Sequence, residues 1–317
     1  MKNKVFYNLL CIAIALLAQT LHAQNNTPNS ITVSGSRFTY DLLRQWIQDF
    51  NEENPDVVIQ IVPRETPFAE QADLVINAHN LDTFERRKGY EYIKLGRYVI
   101  LPIANEKSSV AKQYKNKPIT DNELKELYFD PLHKDASDEQ DIVRLPKKSM
   151  GSNTQLYTRL RIACANTAFA SYYGFNAKDL KGKLVAGEDK HLLYAIAKDT
   201  NGVTYSIPSV LYDLQTRKLR KGISILKTES LAKATSEKKL DLTYLDALTN
   251  YLEANTDKLD FPLTYFHISL KKDIPSQSLE RRFIQYILTK GQNRLHEFGF
   301  LSPEETIRNK GIELVRF

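Results

Sequence analysis

ITVSGSRFTYDLLRQWIQDFNEE, residues 31–53, is the stretch whose reading decides the fold. It opens with Ile31-Thr32-Val33, a short β-branched strand signal. Ser34-Gly35-Ser36 is a tight turn, and an amphipathic helix follows. Phe38, Leu42, Leu43, Trp46, Ile47 and Phe50 share one helical face, with Asp41, Arg44, Gln48 and Asn51 on the other. A strand that runs through a Gly/Ser turn into a helix leaves backbone N–H groups without partners at the turn. With the helix dipole they make a seat for an anion. Ser36 and Arg37 add a hydroxyl and a positive charge. The same pattern also fits an ordinary strand–turn–helix with a capping serine, in which Arg37 pairs with Asp41.

The chain has 317 residues, room for two domains. Hydrophobic residues at 42% and charged residues at 26% place it among globular chains and away from disordered ones. Lys2 and Lys4 precede an apolar run from Leu9 to Ala18, and Leu21-His22-Ala23 ends in a small residue. This predicts a secretory signal over residues 1–23, cleaved after Ala23, and a mature protein in the periplasm. The run is too short to span a membrane comfortably. Leu10, before Cys11, is not the small residue that a lipid-attachment signal wants. Loss of the signal lowers the net charge from +6 to +4, a mild excess that does not argue for nucleic acid. Cys164 is then the single remaining cysteine, which excludes an internal disulfide. It lies in the apolar run Ile162-Ala163-Cys164 with no histidine nearby in sequence, which reads as a buried, inert thiol. The six histidines are scattered without metal-ligand spacing. Ser36 and Ser152 lack a nucleophile-elbow pattern. The expectation is no enzyme, no catalytic residue, no metal and no cofactor.

Further along, Val57–Val62 and Asp73–Asn77 read as short strands, and Tyr90–Ala104 as a long central strand able to cross between domains. Thr120-Asp121-Asn122-Glu123 is a capping box. Ile142–Leu145 reads as a strand running into Pro146-Lys147-Lys148-Ser149-Met150-Gly151-Ser152-Asn153-Thr154, with a helix expected from Gln155 to about Tyr173. Phe261–Leu270 is an apolar strand, and a closing helix starts at Ser278 with Leu279, Phe283, Ile284, Ile287 and Leu288 inward. Strands alternating with helices imply an α/β architecture with largely parallel sheets. Two Gly/Ser turns, each heading a helix, can face each other across a cleft and bind a tetrahedral oxyanion, with Lys148 as countercharge.

On these residues the sequence resembles the substrate-binding protein of the phosphate ABC transporter, a type 2 periplasmic binding protein. The resemblance runs from about Ile31 to Leu301. It is carried by Ser34-Gly35-Ser36-Arg37-Phe38, Asn54-Pro55-Asp56-Val57, Gly151-Ser152-Asn153-Thr154, Gly202-Val203-Thr204-Tyr205 and Gly299-Phe300-Leu301. It implies a two-lobed fold with the ligand cleft between lobes. One lobe would hold residues 25–104 plus 229–317, and the other residues 105–228. It implies a monomer that captures inorganic phosphate or a similar oxyanion for a permease in the inner membrane. The anion site would comprise Gly35, Ser36, Arg37, Phe38, Asn77, Lys148, Gly151, Ser152, Asn153 and Thr154. There are departures. Arg37 stands for a threonine, Lys148 for an arginine, Asn153 for a glycine and Met150 for an acid. Ala78, beside Asn77, stands where the family has a proton-accepting aspartate. An alternative is therefore an interaction or sensory protein of the same fold with a diverged or lost anion site.

Overall fold

The computed structural model describes residues 29–130 and 153–316, apart from Phe68, Asp82 and Phe84. The strands are β1 (Ser30–Gly35), β2 (Val58–Ile61), β3 (Leu74–Asn77), β4 (Tyr90–Val99), β5 (Leu101–Asn105), β6 (Gln155–Arg159), β7 (Lys183–Val185), β8 (Gly202–Ser206), β9 (Ile223–Ile225) and β10 (Leu263–Lys271). The helices are α1 (Tyr40–Glu53), α2 (Ser109–Gln113), α3 (Asp121–Tyr128), α4 (Cys164–Tyr172), α5 (Asp189–Lys198), α6 (Pro208–Leu211), α7 (Glu229–Ser236), α8 (Leu245–Ala254), α9 (Leu279–Leu288) and α10 (Glu305–Val315). The signal segment and the strand expected at Ile142–Leu145 lie outside the described residues. No helix among the described residues is long and apolar enough to cross a membrane.

Two five-stranded sheets organise the chain, in the orders β2-β1-β3-β10-β4 and β7-β6-β8-β5-β9. In the first, β1 runs parallel to β2 and β3, while β10 is antiparallel to β3 and β4. In the second, β6 runs parallel to β7 and β8, while β5 is antiparallel to β8 and β9. The expected long central strand is two strands. The chain breaks at Ile100, and β4 and β5 belong to different sheets. The side chains of α7 and α8, such as Leu231, Leu245, Leu248 and Leu252, pack with Leu101 and Ile103 of the second sheet. The chain therefore enters the second sheet just after Ile100 and returns to the first sheet at β10.

The helix α1 forms as its spacing predicts. Leu42, Leu43, Trp46 and Phe50 are buried, at about 1.5–3 kcal/mol for each large apolar side chain removed from water. Trp46 also donates its indole N–H to the Gly291 carbonyl at 2.7 Å. Phe50 meets Phe283 edge-on with centroids 5.3 Å apart, tying α1 to α9. The expected inward residues of α9, Leu279, Phe283, Ile284, Ile287 and Leu288, are all buried.

The helix expected from Gln155 is corrected. Residues 155–159 are β6, and the helix begins only at Cys164. Gln155 and Leu156 lie opposite Gly202 and Val203 in the ladder with β8. Tyr157 and Thr158, good strand formers, are buried in the sheet.

Candidate functional site

Ligands of open α/β sheets bind beyond the carboxyl ends of the parallel strands. In the first sheet β1 ends at Gly35, whose φ is +145°. A Cβ there would lie 2.2 Å from the Ile76 carbonyl oxygen, so only glycine lets the two strands approach so closely. The Ser36 N–H donates to that carbonyl at 2.9 Å. A short 3₁₀ turn over Arg37–Thr39 then leads into α1. Phe38 packs against Tyr98, centroids 4.9 Å apart, and Phe300 at 6.2 Å. The side chains of Ser36, Arg37 and Phe38 thereby line a cleft of about 920 Å³.

The opposite wall is the end of β6 and the start of α4. Arg159, Arg161 and Cys164 line the same cleft, with Glu188, Asp189 and Lys190 at the head of α5 and Ser209 on α6. The Ser209 hydroxyl is buried without a partner among the described residues. The second strand–turn–helix thus spans β6 and α4, one element later than the sequence reading set it. Asn153 and Thr154 precede β6, at the other end of the strand from the cleft, and are not among its lining residues. Lys148, Gly151 and Ser152 lie outside the described residues. Asn77 ends β3 and accepts a hydrogen bond from Arg64 at 3.4 Å, but it does not line the cleft. Gly35 acts through its backbone, accepting from the Tyr40 hydroxyl at 3.2 Å. Ala78 is fully buried, and the residue of that loop that faces the cleft is His79. A second cavity of about 490 Å³ beside β9 contains none of these residues.

Arg37 does not pair with Asp41, which bonds Arg44 at 2.5 Å. Instead its guanidinium is held between Glu65 on its own side of the cleft and Glu188 on the other. The hydrogen bond to Glu65, with the negative charge of Glu188, raises the Arg37 pKa despite burial. Burial pushes the Glu65 carboxyl up, but the bonds from Arg37 outweigh it and hold it below its ordinary range. Arg159 donates to Gly187 O at 2.7 Å and to Asp189 at 3.3 Å. Burial still pushes the Asp189 carboxyl up against the pull of Arg159. Arg161 is exposed and makes no ion pair among the described residues.

Cys164 is not an isolated thiol. Its Sγ lies 3.2 Å from His79 Nδ1 and 3.0 Å from Ser36 Oγ. The other ring nitrogen of His79, Nε2, lies 2.9 Å from Glu85 Oε1. Burial opposes both charges. Even so, the Cys164 and Glu85 contacts raise the His79 pKa to about 9. Hydrogen bonds from His79, Ser36 and the Ala78 backbone hold the thiol below its ordinary value despite its burial. Sequence reading missed this cluster because His79 and Cys164 are 85 residues apart. The available signal was Arg159-Leu160-Arg161 before an Ala-rich helix headed by Cys164. Among the described residues, no group of three histidine, cysteine or acidic side chains is placed to hold a metal ion.

No family model and no curated protein matches the chain. Solved structures do match. One, from Clostridium perfringens and described as a phosphate ABC transporter substrate-binding protein with bound phosphate, has a TM-score of 0.61 at 16% identity, over 87% of this chain and 100% of that one. An ABC-type phosphate transport receptor from Vibrio cholerae matches with a TM-score of 0.57 at 14% identity, over 86% and 100%. The Synechocystis CcmR regulatory domain in complex with 2-PG matches with 0.51 at 12% identity, over 83% and 98%. The chain shares with these structures a two-lobed α/β fold.

Proposed function

We propose that the protein is a secreted binding protein that captures a small oxyanion, phosphate foremost, between its lobes. In this reading it works in the periplasm and hands the anion to an ABC permease of the inner membrane. The observation that carries the reading is the convergence of Arg37 on one wall with Arg159 and Arg161 on the other, in one cleft at the ends of parallel strands. Glu188 reaches Arg37 across the cleft, so a protein carboxylate stands where an anion's oxygens would bind. An incoming oxyanion competes with Glu188 for the guanidinium and gains Arg161 and the Ser209 hydroxyl. Calorimetric titration with phosphate, sulfate, molybdate and small organic phosphates tests this. Saturable one-to-one binding of at least one of them is expected, and heat of dilution alone for all four would overturn it.

A further inference from the structure

We propose that Cys164, His79 and Glu85 form a nucleophilic triad, assembled across the cleft, that accepts an acyl group from a small ester or thioester. Cys164 comes from the second lobe, while Ser36, His79 and Glu85 come from the first. The ring nitrogens of His79 are both engaged, Nδ1 by the sulfur at 3.2 Å and Nε2 by a carboxylate oxygen at 2.9 Å. With Nε2–H donated to Glu85, Nδ1 is placed to take the thiol proton, and the resulting imidazolium donates to both the thiolate and the carboxylate. Cys164 is also the first residue of α4, a helix of 9 residues, where the dipole favours a thiolate. Cys164 and His79 are recessed but line the cleft, so a ligand that enters it meets the sulfur.

The groups around the pair agree with this assignment. Tyr98 donates its hydroxyl to the Ala78 carbonyl and stays protonated, its pKa well above ordinary because it is buried. His267 is held neutral by burial and by the charges of His79 and Arg86, its pKa lowered to about 4. Glu85 is the carboxylate bonded to the imidazolium, and Asp189 is the further acid that bears on Tyr98. Among the described residues, no other base contacts the His79 Nδ1 proton.

The step balances without a cofactor. The Cys164 sulfur attacks the carbonyl carbon, and the C=O pair moves onto oxygen, which faces the N-terminal amides of α4. As the C=O re-forms, the bond to the leaving oxygen or sulfur breaks. The leaving group takes the proton from His79 Nδ1, leaving a thioester on Cys164 and neutral imidazole. Water then gives a proton to His79 and its oxygen to the acyl carbon, and the C–S bond breaks. A carboxylic acid is released, and the thiolate–imidazolium pair is restored. Glu85 is a positioning residue that keeps Nδ1 turned to the sulfur. Because nucleophile and proton donor sit on different lobes, opening the cleft separates them and silences the site.

The test measures the single thiol of the mature protein. The rate of iodoacetamide alkylation is followed against pH for wild type, His79→Gln and Glu85→Gln, and acylation by p-nitrophenyl acetate is read by intact mass. Between pH 8 and pH 6 an ordinary thiol loses on the order of a hundredfold in rate, given a reference pKa of about 8.5. Wild type is expected to lose less than about threefold, since its thiolate persists. His79→Gln is expected to restore the steep profile, Glu85→Gln to fall between, and wild type alone to gain one acetyl group on Cys164 rapidly. A steep profile in wild type, or no acetyl transfer at a reactive thiol, would overturn the proposal. So would a thiol that reacts only after unfolding. The outcome is independent of whether the cleft binds phosphate.

Discussion

Arg37 of the first lobe is bonded to Glu188 of the second, so a positive charge expected to face an anion is neutralised from across the cleft. Glu65 holds the same guanidinium from its own side. The Arg37–Glu188 pair bridges the two walls of the cleft and, in the proposed reading, occupies the position an oxyanion would take.

Removing the competitor should strengthen binding. Glu188→Gln keeps the shape and removes the charge, leaving Arg37 paired from its own side by Glu65 and open toward the ligand. The Arg37 and Glu188 side chains are 36% and 32% exposed, so their bond is worth little and the gain is modest. An increase of about three- to tenfold in phosphate affinity is expected by calorimetry, or about 0.7–1.4 kcal/mol. Unchanged or weaker binding would show that Glu188 does not stand in the anion's place.

Anion affinity should fall as salt rises. Arg161 is exposed and Arg37 half-exposed, so both charges are open to screening, with a Debye length of about 10 Å at 0.1 M. Titration between low salt and 0.5 M sodium chloride reads this directly. A flat dependence would mean that the ligand is held by buried neutral donors instead.

Stability should fall on mild acidification because of His267. This ring is 6% exposed, and its Nε2 has no partner among the described residues. Burial, with the charges of His79 and Arg86, lowers its pKa from 6.5 to about 4. The unfolded chain takes up a proton near pH 6.5 that the folded protein refuses until near pH 4. Its contribution is therefore complete above pH 6.5 and is lost as pH falls toward 4, by about 3 kcal/mol at most. Urea unfolding at pH 7 and pH 5 should show this loss in wild type, and His267→Gln should lose less over the same interval.

Gly35→Ala should destabilise the fold before it alters the ligand. Its backbone is at φ +145° and a Cβ would meet Ile76 O at 2.2 Å. Conformational strain of about 1–3 kcal/mol adds to separation of β1 from β3. A drop of at least about 2 kcal/mol in urea unfolding, with unchanged m-value, is expected.

Local chemistry made much of the fold legible in sequence. The periodicity of Leu42, Leu43, Trp46 and Phe50 and the Gly/Ser turn before them determine α1 and the placement of Ser36, Arg37 and Phe38 at the cleft. On the other wall, the turn that reaches the cleft among the described residues is Leu160-Arg161-Ile162-Ala163, which has no glycine to signal it in sequence. Its strand, β6, is specified by pairing with β8, some 45 residues later, a tertiary effect that residue preference does not show. Cys164 looked inert for the same reason. His79, itself bonded to Glu85, reaches it only where the two lobes meet, and no spacing rule connects positions 79, 85 and 164.

The central claim, an anion site built from both lobes, is tested most directly by calorimetric titration of phosphate into wild type, Arg37→Ala and Arg161→Ala. The account predicts saturable binding in wild type and a loss of at least about tenfold, about 1.4 kcal/mol, in each variant, since each removes a positive charge from one wall. Phosphate binding that survives both substitutions unchanged would contradict it.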